Sequence, residues 1–395
     1  MNKYKILPVI GITVIVLVML ILHNVKVNRF ETNSKGQLSS KSTATSGNII
    51  ENSNETSSAE AETFNETTVE TTPEIIYPEE TTIAFTGDIL LADNLYAAYL
   101  ENGVKGFLSD KVYEHLHNAD LTFINEEFPF SDRGSPEPGK EYTYRVPPER
   151  VQCFLDMGVD VVSISNNHIL DYGQEALLDT FDVLDNAGIY YIGAGKDLTR
   201  AKQLIIKEVN GKKIGFLAAS RVVPSWEWYA LDETASSAAR PGVFTAYDDT
   251  ALCEEIAKAD SICDFVIVYA HWGIERQETA SEYQRIMAKH FIDSGADLVV
   301  GSHPHVMQGV EFYKDVPIVY SMGNFLFSNY YSRTTVLTCT IDRDNKCTIN
   351  FLPCKSQTYY TQEMRNDEIK GFYDFLNSVS FGVTFNDDGS YTYTN

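Results

Sequence analysis

DVVSISNNHILDYG, residues 160–173, is an apolar β-run that stops at two asparagines and a histidine. Behind it, Gln174–Ala187 places Ala176, Leu177, Thr180, Phe181 and Leu184 at helical spacing until Gly188 ends the stripe. Strand, polar loop and helix in succession form the repeating unit of an α/β sheet. The unit recurs on both sides. Upstream, TTIAFTG (81–87) ends at Gly87-Asp88, Ser109–Ala119 predicts a helix capped by Ser109, and Asp120–Asn125 predicts a strand that runs into Glu126-Glu127. Pro148–Met157 predicts a helix begun by proline.

Downstream, Leu204–Val209 and Lys213–Ala219 flank Asn210-Gly211, a hairpin signal. Helices are expected over Thr250–Ala259 and Ser281–Ser294, and strands over DFVIVYA (264–270) and DLVV (297–300). These strands lead into His271-Trp272-Gly273 and Gly301-Ser302-His303-Pro304-His305. The close of the chain is rich in strands, at GVEFY (309–313), VPIVYS (316–321), TTVLTCTI (334–341) and TINFLP (348–353), and predicts antiparallel additions. A last helix is expected over Asn366–Ser378, inside a C-terminal helix and tail of residues 361–395.

The N-terminal part follows other rules. Ile6–Leu22 is uncharged and apolar, behind the tail of residues 1–5 with Lys3 and Lys5. At about 1.5 Å per residue it reaches roughly 26 Å, close to a hydrocarbon core of about 30 Å. No small-residue cleavage site follows, so the run reads as an uncleaved membrane anchor. Residues 23–80 read as a flexible stalk, because a segment rich in Glu, Ser and Thr with few aliphatic side chains cannot offset its ordering entropy. Residues 31–80 alone carry −8 of the formal net charge of −24. So acidic a chain, with no basic stripe, is not a nucleic-acid binder, and an anionic polymer would have to be held by local cations or metal. The expected location is the cell membrane, single-pass, with the folded domain (81–360) extracellular. Cys153, Cys253, Cys263, Cys339, Cys347 and Cys354 lack zinc-finger spacing. One local bridge among the last three is compatible with their closeness, and no pairing is assigned.

The polar clusters all follow apolar strands, at Asp88, Asn125-Glu126-Glu127, Asn166-Asn167-His168, His271 and His303/His305. That edge of an open α/β sheet is where ligands bind, so the clusters are expected in one crevice. Asp88, Glu127, Asn167, His271, His303 and His305 supply the carboxylate, amide and imidazole donors of a divalent metal site. A single such residue is more often a cap, a turn or a packing residue. Four of the eight histidines at strand ends, each beside Gly, Asn or Pro, weaken that reading. His115, His117 and His290 fall in expected helices and are left as surface or packing residues.

In order, Gly87-Asp88, Asn125-Glu126-Glu127, Asn166-Asn167-His168 with Asp171 and Gly173, His271-Trp272-Gly273 with Glu275, Gly301-Ser302-His303-Pro304-His305 and Ser321-Met322-Gly323-Asn324-Phe325 resemble the bacterial CapA family of poly-γ-glutamate capsule synthesis proteins. The resemblance spans roughly Thr81–Phe327. It implies a calcineurin-like metallophosphatase fold, a four-layer α-β-β-α sandwich. It also implies one or two divalent ions (Mn, Zn or Fe) on Asp88, Glu127, Asn167, His271, His303 and His305, with Glu127 as the bridging carboxylate. His168 would be the general acid or substrate-oxygen donor, oriented by Asp171. Arg145, Arg240, Glu275 and Asn324 are the candidate substrate-binding residues; Arg221 is a further candidate clamp. One departure stands out: the metallophosphatase pattern Asp-x-His is Asp88-Ile89-Leu90 here, so one ligand is missing.

Two functions follow from this. One is a metal-dependent, phosphoesterase-like hydrolase in biosynthesis or export of an anionic capsule polymer, acting on the polymer or a phosphoester. The other is a non-catalytic, polymer-binding subunit of a membrane capsule-assembly complex. Both expect capsule synthesis membrane proteins as partners.

Overall fold

The computed structural model of the chain describes residues 77–327 and 330–394. The expected anchor at 6–22 and the stalk up to residue 76 lie outside the described residues. Within them, no helix is long and apolar enough to cross a membrane.

Two sheets of mixed direction form the body. The eight-stranded sheet runs Tyr360–Glu363, Cys347–Gln357, Ser332–Ile341, Thr81–Ile89, Leu121–Glu126, Val161–Ser163, Tyr190–Ile192, and Asn324–Leu326 pairs with the end of Thr81–Ile89. The four strands from Thr81–Ile89 to Tyr190–Ile192 are parallel; of the late strands, Ser332–Ile341, Cys347–Gln357 and Tyr360–Glu363 are antiparallel additions, while Asn324–Leu326 pairs parallel. The six-stranded sheet runs Val310–Tyr313, Val316–Val319, Leu298–Ser302, Phe265–His271, Lys212–Ser220, Ile205–Val209. Its last pair is the expected hairpin, turned by Asn210 and Gly211 at positive φ, as this tight turn requires.

Side-chain alternation sorts the apolar residues into three layers. Phe85 and Phe123 of the first sheet meet Phe216 and Tyr269 of the second, with Phe123 at the centre, 5.9 Å from the Phe216 ring and 4.8 Å from the Tyr269 ring. The outer face of the first sheet is covered by helices through Leu95, Leu116, Phe154 and Leu177. Leu252, Ile256, Met287 and Phe291 cover the outer face of the second. The helix Asp367–Val379 and the strand Val383–Phe385 send Phe372, Leu376 and Phe385 into the core between the sheets, so the C-terminal segment packs with the body.

Most expected helices are present, with Ser109 accepting from Val112 N at its N-cap and Gly188 closing Gly173–Ala187 in the left-handed region. The helix Asp93–Asn102 was not anticipated. Leu95 is its only fully buried residue, with Tyr96 and Tyr99 partly buried against the same core, a short apolar stripe.

The same alternation decides among the late cysteines. Cys339 opposes Ile349 and Ile341 opposes Cys347, which puts Cys339 and Cys347 diagonally on one face. Their sulfurs lie 2.7 Å apart, both as free thiols. Cys354, an odd number of residues further on, points into the opposite core. Oxidised glutathione should therefore join Cys339 to Cys347, releasing two reduced glutathiones, and leave Cys354 a thiol. Peptide mapping after alkylation without reductant checks this; a bridge to Cys354 would contradict the register.

Candidate metal centre

The sheet registers carry the polar residues to one place. Asp88 lies beside Asn125 and Asn324 in the first sheet, while Ser220, His271 and Ser302 lie side by side in the second. Close backbone approach makes this possible. A Cβ on Gly87 would stand 1.8 Å from the Gly323 carbonyl oxygen, and one on Gly301 2.2 Å from that of Tyr320. His303 and His305, on either side of Pro304, take φ of 98° and 57°, a region non-glycine residues rarely adopt.

Asp88, Asn125, Glu127 and His271 are completely buried, and His303 nearly so. His271 Nε2 lies 2.7 Å from Asn167 Oδ1 and 3.6 Å from Glu127 Oε1, and its Nδ1 lies 2.9 Å from Ser302 Oγ. His305 Nδ1 sits 3.3 Å from Asp88 Oδ2 and 2.8 Å from Asn324 Oδ1; its Nε2 sits 3.8 Å from Glu127 Oε1. His168 Nδ1 is 2.7 Å from Asp171 Oδ2, and Asp171 also accepts from Tyr144 N and Lys140 Nζ.

Two sets of donor atoms converge to within 4.8 Å: Glu127, His271 and His303 in one, Asp88, Glu127 and His305 in the other. Glu127 belongs to both. Buried atoms without a hydrogen bond face the gap, namely Asp88 Oδ2, Glu127 Oε1 and His303 Nδ1. Orphaned acceptors of this kind are costly unless a ligand satisfies them, so the donor set fits one or two divalent cations.

The lowered imidazoles agree with that reading, while His305 and Glu127 would give up their protons to a cation. Burial holds His271 well below the ordinary histidine value, and burial with the nearby His305 brings His303 down to about 3, so both keep a free lone pair. Burial and the neighbouring Asp88 push Glu127 well up. Burial also disfavours the charged form of His305, but Glu127 and Asp88 outweigh it and raise this imidazole to about 9. Burial lowers His168 in spite of Asp171.

The expected metal donors are thus together, with His168 and Asp171 beside them. Asn324 is there too, on His305. The other candidate substrate-binding residues are not. Arg145 is exposed, stacks on Tyr172 and donates to the Arg133 carbonyl; Arg240 donates to the Tyr229 and Trp226 carbonyls; Glu275 is exposed on its loop. The two guanidiniums thus serve backbone carbonyls. Leu90 lies in the outer core among apolar side chains, so this position supplies no ligand.

Sequence reasoning missed Lys140. It arrives on the irregular segment between Ser131 and Val146, donates to Asp171 Oδ1 and the Asn167 carbonyl, reaches 3.1 Å from His168 Nδ1 and lies over the Trp228 ring. The only local signal is a lysine behind Pro136, Pro138 and Gly139, a stiff turn-forming run. Ser302, which holds His271, was read as part of its loop.

The family description "Bacterial capsule synthesis protein PGA_cap" matches residues 82–329, a stretch holding every donor just described. The chain belongs to this bacterial capsule synthesis family. The capsule biosynthesis protein CapA of Bacillus anthracis is 29% identical over 267 residues, covering 65% of this chain and 62% of that protein. The PGA biosynthesis protein CapA of Bacillus subtilis (strain 168) is 31% identical over 257 residues, covering 64% of each chain. The chain thus spans less than two thirds of these relatives' lengths. Among solved structures, a 5'-nucleotidase from Candida albicans SC5314 aligns with TM-score 0.38 and 11% identity, over 71% of this chain and 53% of that one.

The raised His305 gives the family's site a pH signature. Its stabilisation is full below the ordinary histidine value of about 6.5 and is lost as pH rises through about 9. In chelator-treated protein, His305→Gln should unfold at lower urea than the natural chain at about pH 6, and the deficit should close by about pH 10. A deficit independent of pH would rule out the charged pairing.

Proposed function

We propose that the chain is a metal-dependent hydrolase with a metallophosphatase-like site, acting in biosynthesis or export of an anionic capsule polymer of the poly-γ-glutamate kind. The observation that carries this is Glu127, shared by two converging sets of donors beside His168 and Asp171. Glu127, His271 and His303 would hold one ion, with Asn167 beside His271; Asp88, Glu127 and His305 would hold a second. Bound metal supplies Lewis acidity toward a phosphoryl or acyl oxygen and a water activated near neutral pH.

The chain's own residues do the rest. Asp171 accepts from His168 Nδ1, which fixes the ring and leaves Nε2 free to move a proton to or from the substrate. Lys140 ties Asp171 to the Asn167 carbonyl and brings a positive charge to the same point. Tyr144 and Phe327, whose rings lie 4.4 Å from His168 and 4.6 Å from His305, wall the donors from water. The apolar run at 6–22 supports membrane anchoring with the folded part outside, next to the membrane proteins of capsule synthesis.

Leu90 favours a second reading. With no ligand from that position, the Asp88 set is poorer than the metallophosphatase pattern, which suits a subunit that binds polymer without cleaving it.

The full-length chain, purified in detergent, should contain Mn, Zn or Fe by elemental analysis. It should hydrolyse a generic phosphoester or poly-γ-glutamate, and His168→Ala should cut turnover about 10²–10⁴-fold with metal content unchanged. Metal without turnover on either substrate would favour the binding reading. No metal, and no thermal shift with Mn²⁺ or Zn²⁺, would remove the metal site.

A further inference from the structure

Asn125 is completely buried at the end of its strand, between the two carboxylates of the site. Its Nδ2 donates to Asp88 Oδ1 at 2.9 Å and to Glu127 Oε2 at 3.3 Å. Ionised carboxylates, the form in which both would hold a cation, can only accept, so the amide turns its NH₂ toward them. The other end of the amide is fixed as well, because Asn125 Oδ1 accepts from Asn166 Nδ2 at 3.3 Å. Asn166 is itself held, donating to the Glu126 carbonyl at 2.7 Å and accepting from His168 N at 3.1 Å.

The oxygens that Asn125 does not take are Asp88 Oδ2 and Glu127 Oε1. Both are buried and without a hydrogen bond, and they lie toward His305 and His271. One amide thus splits each carboxylate into a tied oxygen and a free one. We infer that Asn125 is a positioning residue for the metal pocket, selecting Oδ2 of Asp88 and Oε1 of Glu127 as the ligand atoms and keeping both carboxylates monodentate. The inference rests on the metal reading proposed above. It assigns a role to the first residue of Asn125-Glu126-Glu127, beside the ligand Glu127. A residue that orients ligands in this way lowers metal affinity about 10–100-fold when lost.

The test uses Co²⁺ and the full-length chain in detergent, comparing the natural protein with Asn125→Leu and Asn125→Ser. Leucine keeps the branched shape of asparagine, though somewhat larger, but cannot donate. Serine keeps a small polar residue in the strand and cannot reach both carboxylates. Expected are a fall in Co²⁺ affinity of about 10–100-fold for Asn125→Leu and a smaller fall for Asn125→Ser, in metal-free variants that melt lower than the natural chain, because the carboxylates lose their donor, yet remain folded at the assay temperature. The visible absorption per bound Co²⁺ should also weaken in Asn125→Leu, because released carboxylates turn bidentate and raise the coordination number. Unchanged affinity and spectrum in both variants would overturn the positioning role while leaving the metal site intact. So would a loss of affinity that merely follows a loss of fold in both. A natural chain that takes up no Co²⁺ overturns the metal reading, and this inference with it.

Discussion

Two carboxylates, Asp88 and Glu127, are completely buried within reach of one another at the ends of neighbouring strands. Taking a carboxylate out of water costs several kcal/mol even after the protein relaxes, and a second one alongside adds repulsion. Much of the local architecture answers that constraint. Asn125 donates to both, His305 brings a compensating positive charge, and the tight passages at Gly87 and Gly301 let the loops close over them. The strained His303 and His305 backbones belong to the same response, since extended geometry would carry these imidazoles elsewhere. Strain and buried charge in one small volume mark a site kept for binding rather than stability.

The two sheets make this volume rigid. Phe123 sits two residues before Asn125, on the same face of the strand, and packs against Phe216 and Tyr269 of the opposite sheet. Tyr269 is in turn two residues before His271. The contact that joins the sheets therefore also sets the separation of the strand ends that carry Asn125 and His271. A site assembled in this way is supported by core packing and not by loops alone.

Strand ends made the donors legible in the sequence. Apolar runs such as DFVIVYA and DLVV announce buried strands, and a histidine immediately after such a run has few places to go except the sheet edge. Asp88, Glu127, Asn167, His271, His303 and His305 were readable for that reason. Lys140 was not, because it travels on an irregular segment with no period, and its position depends on long-range contacts with Asp171 and Trp228. The arginines failed in the opposite sense. Arg145 and Arg240 follow or precede strands of the fold, yet each guanidinium on its flexible stem binds backbone carbonyls of another segment, those of Arg133 and of Tyr229 and Trp226. The helix Asp93–Asn102 shows the same limit, since its stripe is only Leu95, Tyr96 and Tyr99, too short to stand out in the sequence.

A net charge of −24 looks at odds with an anionic ligand, but range separates the two effects. At physiological salt, charges more than about 8 Å apart in solvent are largely screened, so most of the acidic surface acts only on approach. Inside the site, screening by salt is weak and the local dielectric is low. There, Lys140, with 16% of its side chain exposed, stands beside His168 and the Asn167 carbonyl over the Trp228 ring. An anion reaching that point meets a cation at short range, whatever the sign of the distant surface. Distant charge would then govern how fast such a ligand arrives, and the buried lysine with any bound metal how long it stays.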